Sequence, residues 1–244
     1  MDIPRKSIIK TKKKILITGG DSRFAKELKN KIFGKNIFFK KKNELNILNI
    51  SSINKNLTKH KIDIVIHLAA LSRPMIIHEK NINKSIDINI IGTANVVKAC
   101  ARKNIKLIYF STNYVYPGKK GDYKETDPVL PVNNYAWSKL GGESSVQMYK
   151  NSLILRLAMT EYPFLHKIAF SNAKNNFIYR KDVIKILPRI LNEKGIINIG
   201  GNKSTSIYNF AKKSNPNVKA KKINFKIFPK NSSVDIKKLR KIIK

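Results

Sequence analysis

Tyr135-Ala-Trp-Ser-Lys139 is the segment of this 244-residue chain whose residue types and spacing carry the most chemistry. On a helix, positions i and i+4 share a face, so the Lys139 ammonium can lie near the Tyr135 phenol. A phenol ordinarily ionises near pH ~10. A neighbouring cation stabilises the phenolate and brings the group into range for general acid–base work. Spacing alone does not select this pair. With 42 lysines in 244 residues, nine tyrosines meet a lysine four positions on about 1.5 times by chance, and the chain has three such pairs. Tyr116/Lys120 spans Pro117-Gly118 in a loop, and Tyr208/Lys212 sits on a late helix. Only Tyr135/Lys139 follows a strand whose end offers hydroxyls, Ser111 and Thr112.

A second constellation follows the first strand, Lys14–Thr18, as Gly19-Gly20-Asp21-Ser22-Arg23-Phe24-Ala25. A dinucleotide needs a tight turn, close backbone approach to its pyrophosphate and a helix N-terminus aimed at it. Gly19 supplies the turn, while Ser22 and Ala25 stand where a second and third glycine are usual. A structural Gly-Gly turn is the competing reading. After the second strand comes Lys40-Lys41-Lys42, with no acid before Glu44. A carboxylate there suits NAD and a basic residue suits a 2′-phosphate, so the run favours NADPH over NADH. A solvated lysine face is the alternative.

These residues need a frame, and the pattern provides one. Short β-branched runs (14–18, 36–39, 62–67, 106–110, 152–157) alternate with helical stretches at about 24–33, 52–60, 83–103 and 134–149. In the third helix Ile86, Ile90, Ala94, Val97 and Ala101 fall on one face. Strand–helix alternation implies an α/β fold with a Rossmann-like doubly wound parallel sheet. Beyond Ala158 the pattern weakens to helices at 182–193, kinked by Pro188, at 206–213 with Ser206 as cap, and at 235–243, plus a strand at 195–200. We expect residues 1–157 to form the dinucleotide-binding core. Residues 158–244 are expected to form a small substrate-binding lobe packing back on it, not an independent domain.

Charge and composition narrow the function. Lys+Arg number 50 against 15 Asp+Glu, a formal charge of +35, yet only eight of the 50 are arginines. Arginine is the usual residue for bidentate phosphate and base recognition, so nucleic acid is an unlikely partner and lysine-biased composition explains most of the charge. The single Cys100 excludes an intramolecular disulfide and a cysteine-based zinc site. The four histidines lack metal-ligand spacing, His67 reads as a strand-end residue, and no metal is expected. The basic start, Met1 to Lys14, lacks the apolar stretch of a secretory signal, and no run approaches a membrane span. A cytoplasmic protein without membrane contact is expected.

The run from Gly19 to Lys139 resembles the extended short-chain dehydrogenase/reductase family, and within it the dTDP-4-dehydrorhamnose reductase group. Tyr109-Phe-Ser-Thr-Asn-Tyr-Val-Tyr-Pro-Gly118, with Asn113 where Asp is usual, carries the likeness. So do Glu125-Thr-Asp-Pro128, Asn134-Tyr-Ala-Trp-Ser-Lys-Leu-Gly-Gly-Glu143, His67-Leu-Ala-Ala70, Asn89-Ile-Ile-Gly-Thr93 and Pro229 to Leu239. The resemblance implies NAD(P)H-dependent reduction of the 4-keto group of a nucleotide-linked 4-keto-6-deoxy sugar, in deoxysugar biosynthesis. Thr112 would bond the C4 oxygen, Tyr135 would donate the proton, and Lys139 would lower the phenol's pKa and hold the nicotinamide ribose. It places Gly19, Ser22, Arg23, Phe24, Lys40, Lys41, Ala69 and Ala70 at the cofactor, and Ser72, Tyr114, Arg156 and Arg180 at the substrate. Asn89 either shapes the helix beside the site or satisfies the core. Dehydratase relatives carry Asp-Glu after the catalytic Thr, where this chain has Asn113-Tyr114, so dehydration is not expected. Only 23 residues separate Arg156 from Arg180, fewer than the family's insertion, so the substrate lobe is shortened. A C4 epimerase with tightly bound NAD and a non-catalytic Rossmann module remain alternatives, and a homodimer is left open.

Overall fold

The computed structural model describes residues 12–31 and 36–244; most of the basic start (1–11) and the far end of the first expected helix, to Phe33, lie outside the described residues. The first half runs β1 (Ile15–Thr18), α1 (Arg23–Lys29), β2 (Ile37–Lys40), α2 (Ile50–His60), β3 (Ile64–His67), α3 (Ile77–Lys80), α4 (Ile82–Ile86), a π-helical stretch (Asp87–Ile91), α5 (Gly92–Arg102) and β4 (Lys106–Thr112). It continues through α6 (Asn134–Gln147), β5 (Ser152–Leu157), β6 (Met159–Thr160), β7 (Ile168–Phe170), β8 (Lys174–Asn175), β9 (Ile178–Tyr179) and α7 (Arg180–Ile190). The chain ends with β10 (Gly195–Ile199), β11 (Thr205–Ser206), α8 (Ile207–Lys212), β12 (Lys219–Lys221) and α9 (Lys237–Ile242).

Six strands join in the order β10-β5-β4-β3-β1-β2. β1 pairs in parallel with β2 and β3, and β3 with β4. The expected α/β, doubly wound architecture is therefore present. The chain starts at β1, steps out to β2 and returns to β3 on β1's other side. That reversal is the switch point at which open α/β sheets bind ligands. β1, β3 and β5 are buried along their whole length, which is why they read as continuous apolar runs instead of alternating ones.

The chain forms two compact units. The first takes in residues 1–111, 138–154 and 191–195, the second 112–137, 155–190 and 196–244. In the first, Ile15, Ile17, Ile64, Ile66, Leu107 and Ile108 of the strands are buried, as are Leu28 of α1, Leu57 of α2 and Val96 and Ala99 of α5. In the second, Phe164, Ala169, Ala173, Ile207, Ala211 and Val218 make a smaller apolar core. Apart from β5 and β10 of the six-stranded sheet, its strands are only two or three residues long, and buried asparagines bond to its loops. The Asn176 side chain donates to the Gly201 and Val234 carbonyls and accepts from the Val234 N–H. Asn198 donates to the Tyr123 carbonyl and accepts from the Tyr116 hydroxyl. Ser206 caps α8 as expected, accepting from Asn209 N–H at 3.1 Å, and α7 runs through Pro188 to Ile190.

The helix at 82–102 differs from its sequence pattern. Ile86 and Ala101 are exposed, and Ser85, Asn89 and Thr93 are buried in their place. The π-helical stretch at 87–91 widens one turn, which accommodates one extra residue and rotates the face presented beyond it. The inward face then carries polar side chains that bond within the unit, so apolar periodicity marked the neighbouring face.

Candidate active site

α6 carries both Tyr135 and Lys139. Asn133 Oδ1 accepts the Ala136 N–H at 2.9 Å, fixing the helix start next to Tyr135. Tyr135 is half-buried in the first turn; Lys139, one turn on, is buried. The Lys139 Nζ lies 4.2 Å over the Tyr109 ring, and the Tyr109 hydroxyl donates to the Lys139 carbonyl at 3.1 Å. Strand period two puts Ser111 on the same face of β4 as Tyr109. Its hydroxyl donates to Glu143 Oε2 at 2.7 Å. Burial pushes the Lys139 ammonium down to about 7, against the opposing charge of Glu143, which raises it. An amine that titrates there can change charge near neutrality, as acid–base chemistry requires.

Gly142 lets α6 approach the 87–93 segment this closely. A Cβ there would sit 2.4 Å from the Asn89 carbonyl oxygen and 2.8 Å from the Tyr109 hydroxyl. Asn89 itself is fully buried and clamps two segments. Its amide accepts from the Leu71 N–H and donates to the Leu71 carbonyl, both at 2.8 Å, and donates to Ser138 Oγ at 2.8 Å. The loop after β3 is thereby tied to the residue preceding Lys139.

The same loop is held from the other side. Thr18 Oγ1 accepts from the Leu68 and Ala69 N–H groups at 3.2 and 3.1 Å and lies 2.7 Å from His67 Nδ1. With both lone pairs taken, the hydroxyl must donate to Nδ1, so the ring proton is on Nε2, 3.1 Å from Thr93 Oγ1. His67 is thus a neutral strut; burial, and secondarily the Lys139 charge, push it down to about 3.

The cofactor candidates cluster at the strand ends. Gly19 has φ +64°, and a Cβ there would meet Ala69 N at 2.8 Å, so the turns after β1 and β3 touch. Gly20 N–H donates to the Lys40 carbonyl at 2.8 Å. Ser22 caps α1 by accepting from Ala25 N–H at 3.2 Å, Arg23 is exposed at the helix start, and Phe24 is buried with its ring edge-on to Phe110. Ala70 is half-buried beside Ala69, and Lys41 is exposed with its N–H on Glu44. Lys40 and Glu44 line a cleft of about 500 Å³ with Lys55 and Lys59. A glycine turn, an open alanine loop and cations at the end of β2 suit a dinucleotide carrying an extra phosphate.

Thr112 ends β4, buried, its Oγ1 accepting the Tyr114 N–H at 3.3 Å. Tyr114 packs edge-on to Phe228, Ser72 is exposed in the loop after β3, and Arg180 opens α7 half-buried. Arg156 is buried; its Nη1 donates to the Tyr116 hydroxyl at 2.8 Å and the Glu125 carbonyl at 3.3 Å. A separate cleft of about 380 Å³ in the second unit, lined by Lys120, Lys174, Asn176 and Arg240 among others, contains none of the candidate residues. Among the described residues no His, Cys, Asp or Glu group could hold a metal, and no helix is long and apolar enough to cross a membrane.

Sequence reading gave no role to Tyr109 or Glu143 and named Ser111 only as a hydroxyl at the strand end. Two signals were present: the Tyr109/Ser111 alternation along β4, and Glu143 four residues beyond Lys139.

Comparison with known proteins places these features. The RmlD substrate binding domain matches residues 13–178. The methionine adenosyltransferase 2 subunit beta of Xenopus tropicalis is 28% identical over 195 residues, 67% of this chain and 57% of that protein. The dTDP-4-dehydrorhamnose reductase of Aggregatibacter actinomycetemcomitans is 30% identical over 137 residues, 55% of this chain and 43% of that protein. The chain spans about a third to just over half the length of the first curated relatives it matches. A crystal structure of dTDP-4-dehydrorhamnose reductase from Bacillus anthracis, in complex with NADP, superposes with a TM-score of 0.84 at 24% identity, covering 94% of this chain and 92% of that one. At that identity the likeness is one of fold.

Proposed function

The chain belongs to the RmlD substrate binding domain family, and from that membership we propose that it reduces the 4-keto group of a nucleotide-linked 4-keto-6-deoxy sugar at the expense of NADPH. The observation that carries the reading is Lys139: a buried ammonium over the Tyr109 ring, one helical turn from Tyr135 and held near neutrality. Nothing about a purely structural lysine calls for that burial, whose cost is several kcal/mol before compensation.

The residues divide by role. Tyr135 gives its phenolic proton to the C4 oxygen as the carbonyl is reduced, and the Lys139 charge stabilises the phenolate left behind. Thr112 offers its hydroxyl to the same oxygen. NADPH, when bound, supplies the hydride. Gly19, Ser22, Arg23, Phe24, Ala69 and Ala70 form its proposed bed, with Lys40 and Lys41 toward the 2′-phosphate. Support comes from the Gly19–Ala69 approach and the lysine-lined cleft, and from the NADP named with the Bacillus anthracis reductase. Ser72, Tyr114, Arg156 and Arg180 are the proposed sugar and pyrophosphate contacts. Residues 1–157 act on this reading as the dinucleotide core and 158–244 as the substrate lobe, in a cytoplasmic protein that does not use nucleic acid.

The purified chain should oxidise NADPH when offered 4-keto-6-deoxy sugars on several nucleotide bases, followed by loss of absorbance at the reduced nicotinamide band. No turnover on any of them would remove the proposal. Cofactor that stays bound through purification and fails to exchange with NADPH would favour the epimerase instead.

A further inference from the structure

Glu143 is completely buried in α6, yet the roles above leave it unused. Both its oxygens accept hydrogen bonds: Oε2 from the Ser111 hydroxyl at 2.7 Å and Oε1 from the Gln147 amide at 3.4 Å. That arrangement suits a carboxylate, which can only accept. Burying such a charge without a partner is prohibitive, and the helix places Glu143 one turn beyond Lys139, on the same face. The groups set against Lys139 by ring contact or charge are Tyr109 from β4, His67 from β3 and Glu143 along α6. Of these His67 is held neutral by Thr18 and Thr93, and Tyr109 presents a ring face. Glu143 alone among them brings a standing negative charge.

We propose that Glu143, anchored by Ser111, is a positioning residue for the reaction: it supplies the buried countercharge that keeps Lys139 an ammonium on the Tyr135 face of α6. The inference rests on the ketoreductase reading for its consequence in turnover, but not for the Glu143–Lys139 pairing itself. The alternation of β4 delivers the anchor, and the near contact of Gly142 with Asn89 and Tyr109 sets the depth of α6 at which the pair is sealed from water. Without Glu143 the buried amine loses its proton at a lower pH, because an opposite charge favours the charged form.

The test has two readouts on the full-length protein. The first is an NMR titration of the Lys139 side chain in lysine-labelled protein without substrate, its signal assigned by Lys139→Arg. The second is the pH profile of kcat. In Glu143→Gln the Lys139 midpoint should fall by about one pH unit or more, a tenfold change in the charged fraction. The alkaline limb of kcat should move down with it, so that activity lost near neutrality is largely recovered at lower pH. Glu143→Asp should restore part of both shifts. Ser111→Ala, which keeps the carboxylate and removes its anchor, should shift both the same way by less, and it serves if Glu143→Gln does not fold. A merely structural Glu143 would lower kcat equally at every pH and leave the titration in place; an unmoved Lys139 midpoint in Glu143→Gln, or in Ser111→Ala where that must stand in, overturns the proposal. A shifted midpoint in a protein that turns over no ketosugar would uphold the pairing and sink the ketoreductase reading alone.

Discussion

The two units solve the problem of buried polarity in different ways. In the first, ionisable groups are buried in regular elements: His67 at a strand end, Lys139 and Glu143 on one helix, with hydroxyls of Thr18, Thr93 and Ser111 as their partners. In the second, the buried groups are mostly amides and hydroxyls, Asn113, Asn175, Asn176, Asn198, Ser232 and Ser233, bonded largely to backbone in loops and very short strands. Amides satisfy stray N–H and C=O groups without carrying charge, so they close a loop-rich interior cheaply. Buried charges are costly and titrate, so they are retained where chemistry can use them. The contrast is one of degree, for Arg156, Glu161 and Asp235 are also buried in the second unit, which includes Thr112 and Tyr135.

Four substitutions probe the contrast. Lys139→Met should cost the most in rate, about 10²–10⁴-fold in kcat with the protein still folded by circular dichroism; activity within a few fold of wild type would mean the buried charge is idle. Asn176→Ala should behave in the opposite sense. It orphans two carbonyls and one N–H in the second unit, and urea unfolding should show a loss of about 2–4 kcal/mol. Below the unfolding transition kcat should stay near wild type.

Gly142→Ala tests whether the depth of α6 matters. Its methyl would overlap the Asn89 carbonyl, costing about 1–3 kcal/mol by denaturant titration and lowering kcat as well, since Asn89 and Ser138 move with it. The last effect concerns pH. Folded His67 titrates near 3, well below the unfolded value near 6.5. Between those limits the unfolded chain binds a proton that the folded one does not, so stability should fall as pH drops from ~6.5, by up to about 1.4 kcal/mol per unit. His67→Gln should flatten that slope, as measured by urea midpoints between pH 4 and 7; an unchanged slope would place the acid sensitivity elsewhere.

The same contrast explains what the sequence made legible. β1, β3, β4 and β5 were readable to within about two residues, because strands buried on both faces leave unbroken β-branched runs. α8 announced itself by its cap, Ser206. The Tyr135/Lys139 pair stood out through its place after β4. What the sequence hid was polar or short. The inward face of the 82–102 helix carries Ser85, Asn89 and Thr93, which an apolar count passes over. Two-residue strands such as β6, β8 and β11 have no period to detect. Glu143 lay within a recognised motif, but a glutamate four residues after a lysine on a helix ordinarily reads as a solvent-facing pair; only burial gives it a different meaning.

The central claim is that the Tyr135 phenol, tuned by Lys139, protonates a sugar oxygen while C4 is reduced. It is tested most directly by giving the purified chain NADPH carrying deuterium at both C4 positions of the nicotinamide together with a 4-keto-6-deoxy nucleotide sugar, and reading the label by mass spectrometry. Wild type should place one deuterium at sugar C4, and Tyr135→Phe should do so at least about 10²-fold more slowly while binding the cofactor normally. A product without deuterium, or a Tyr135→Phe variant that labels C4 at the wild-type rate, would contradict it.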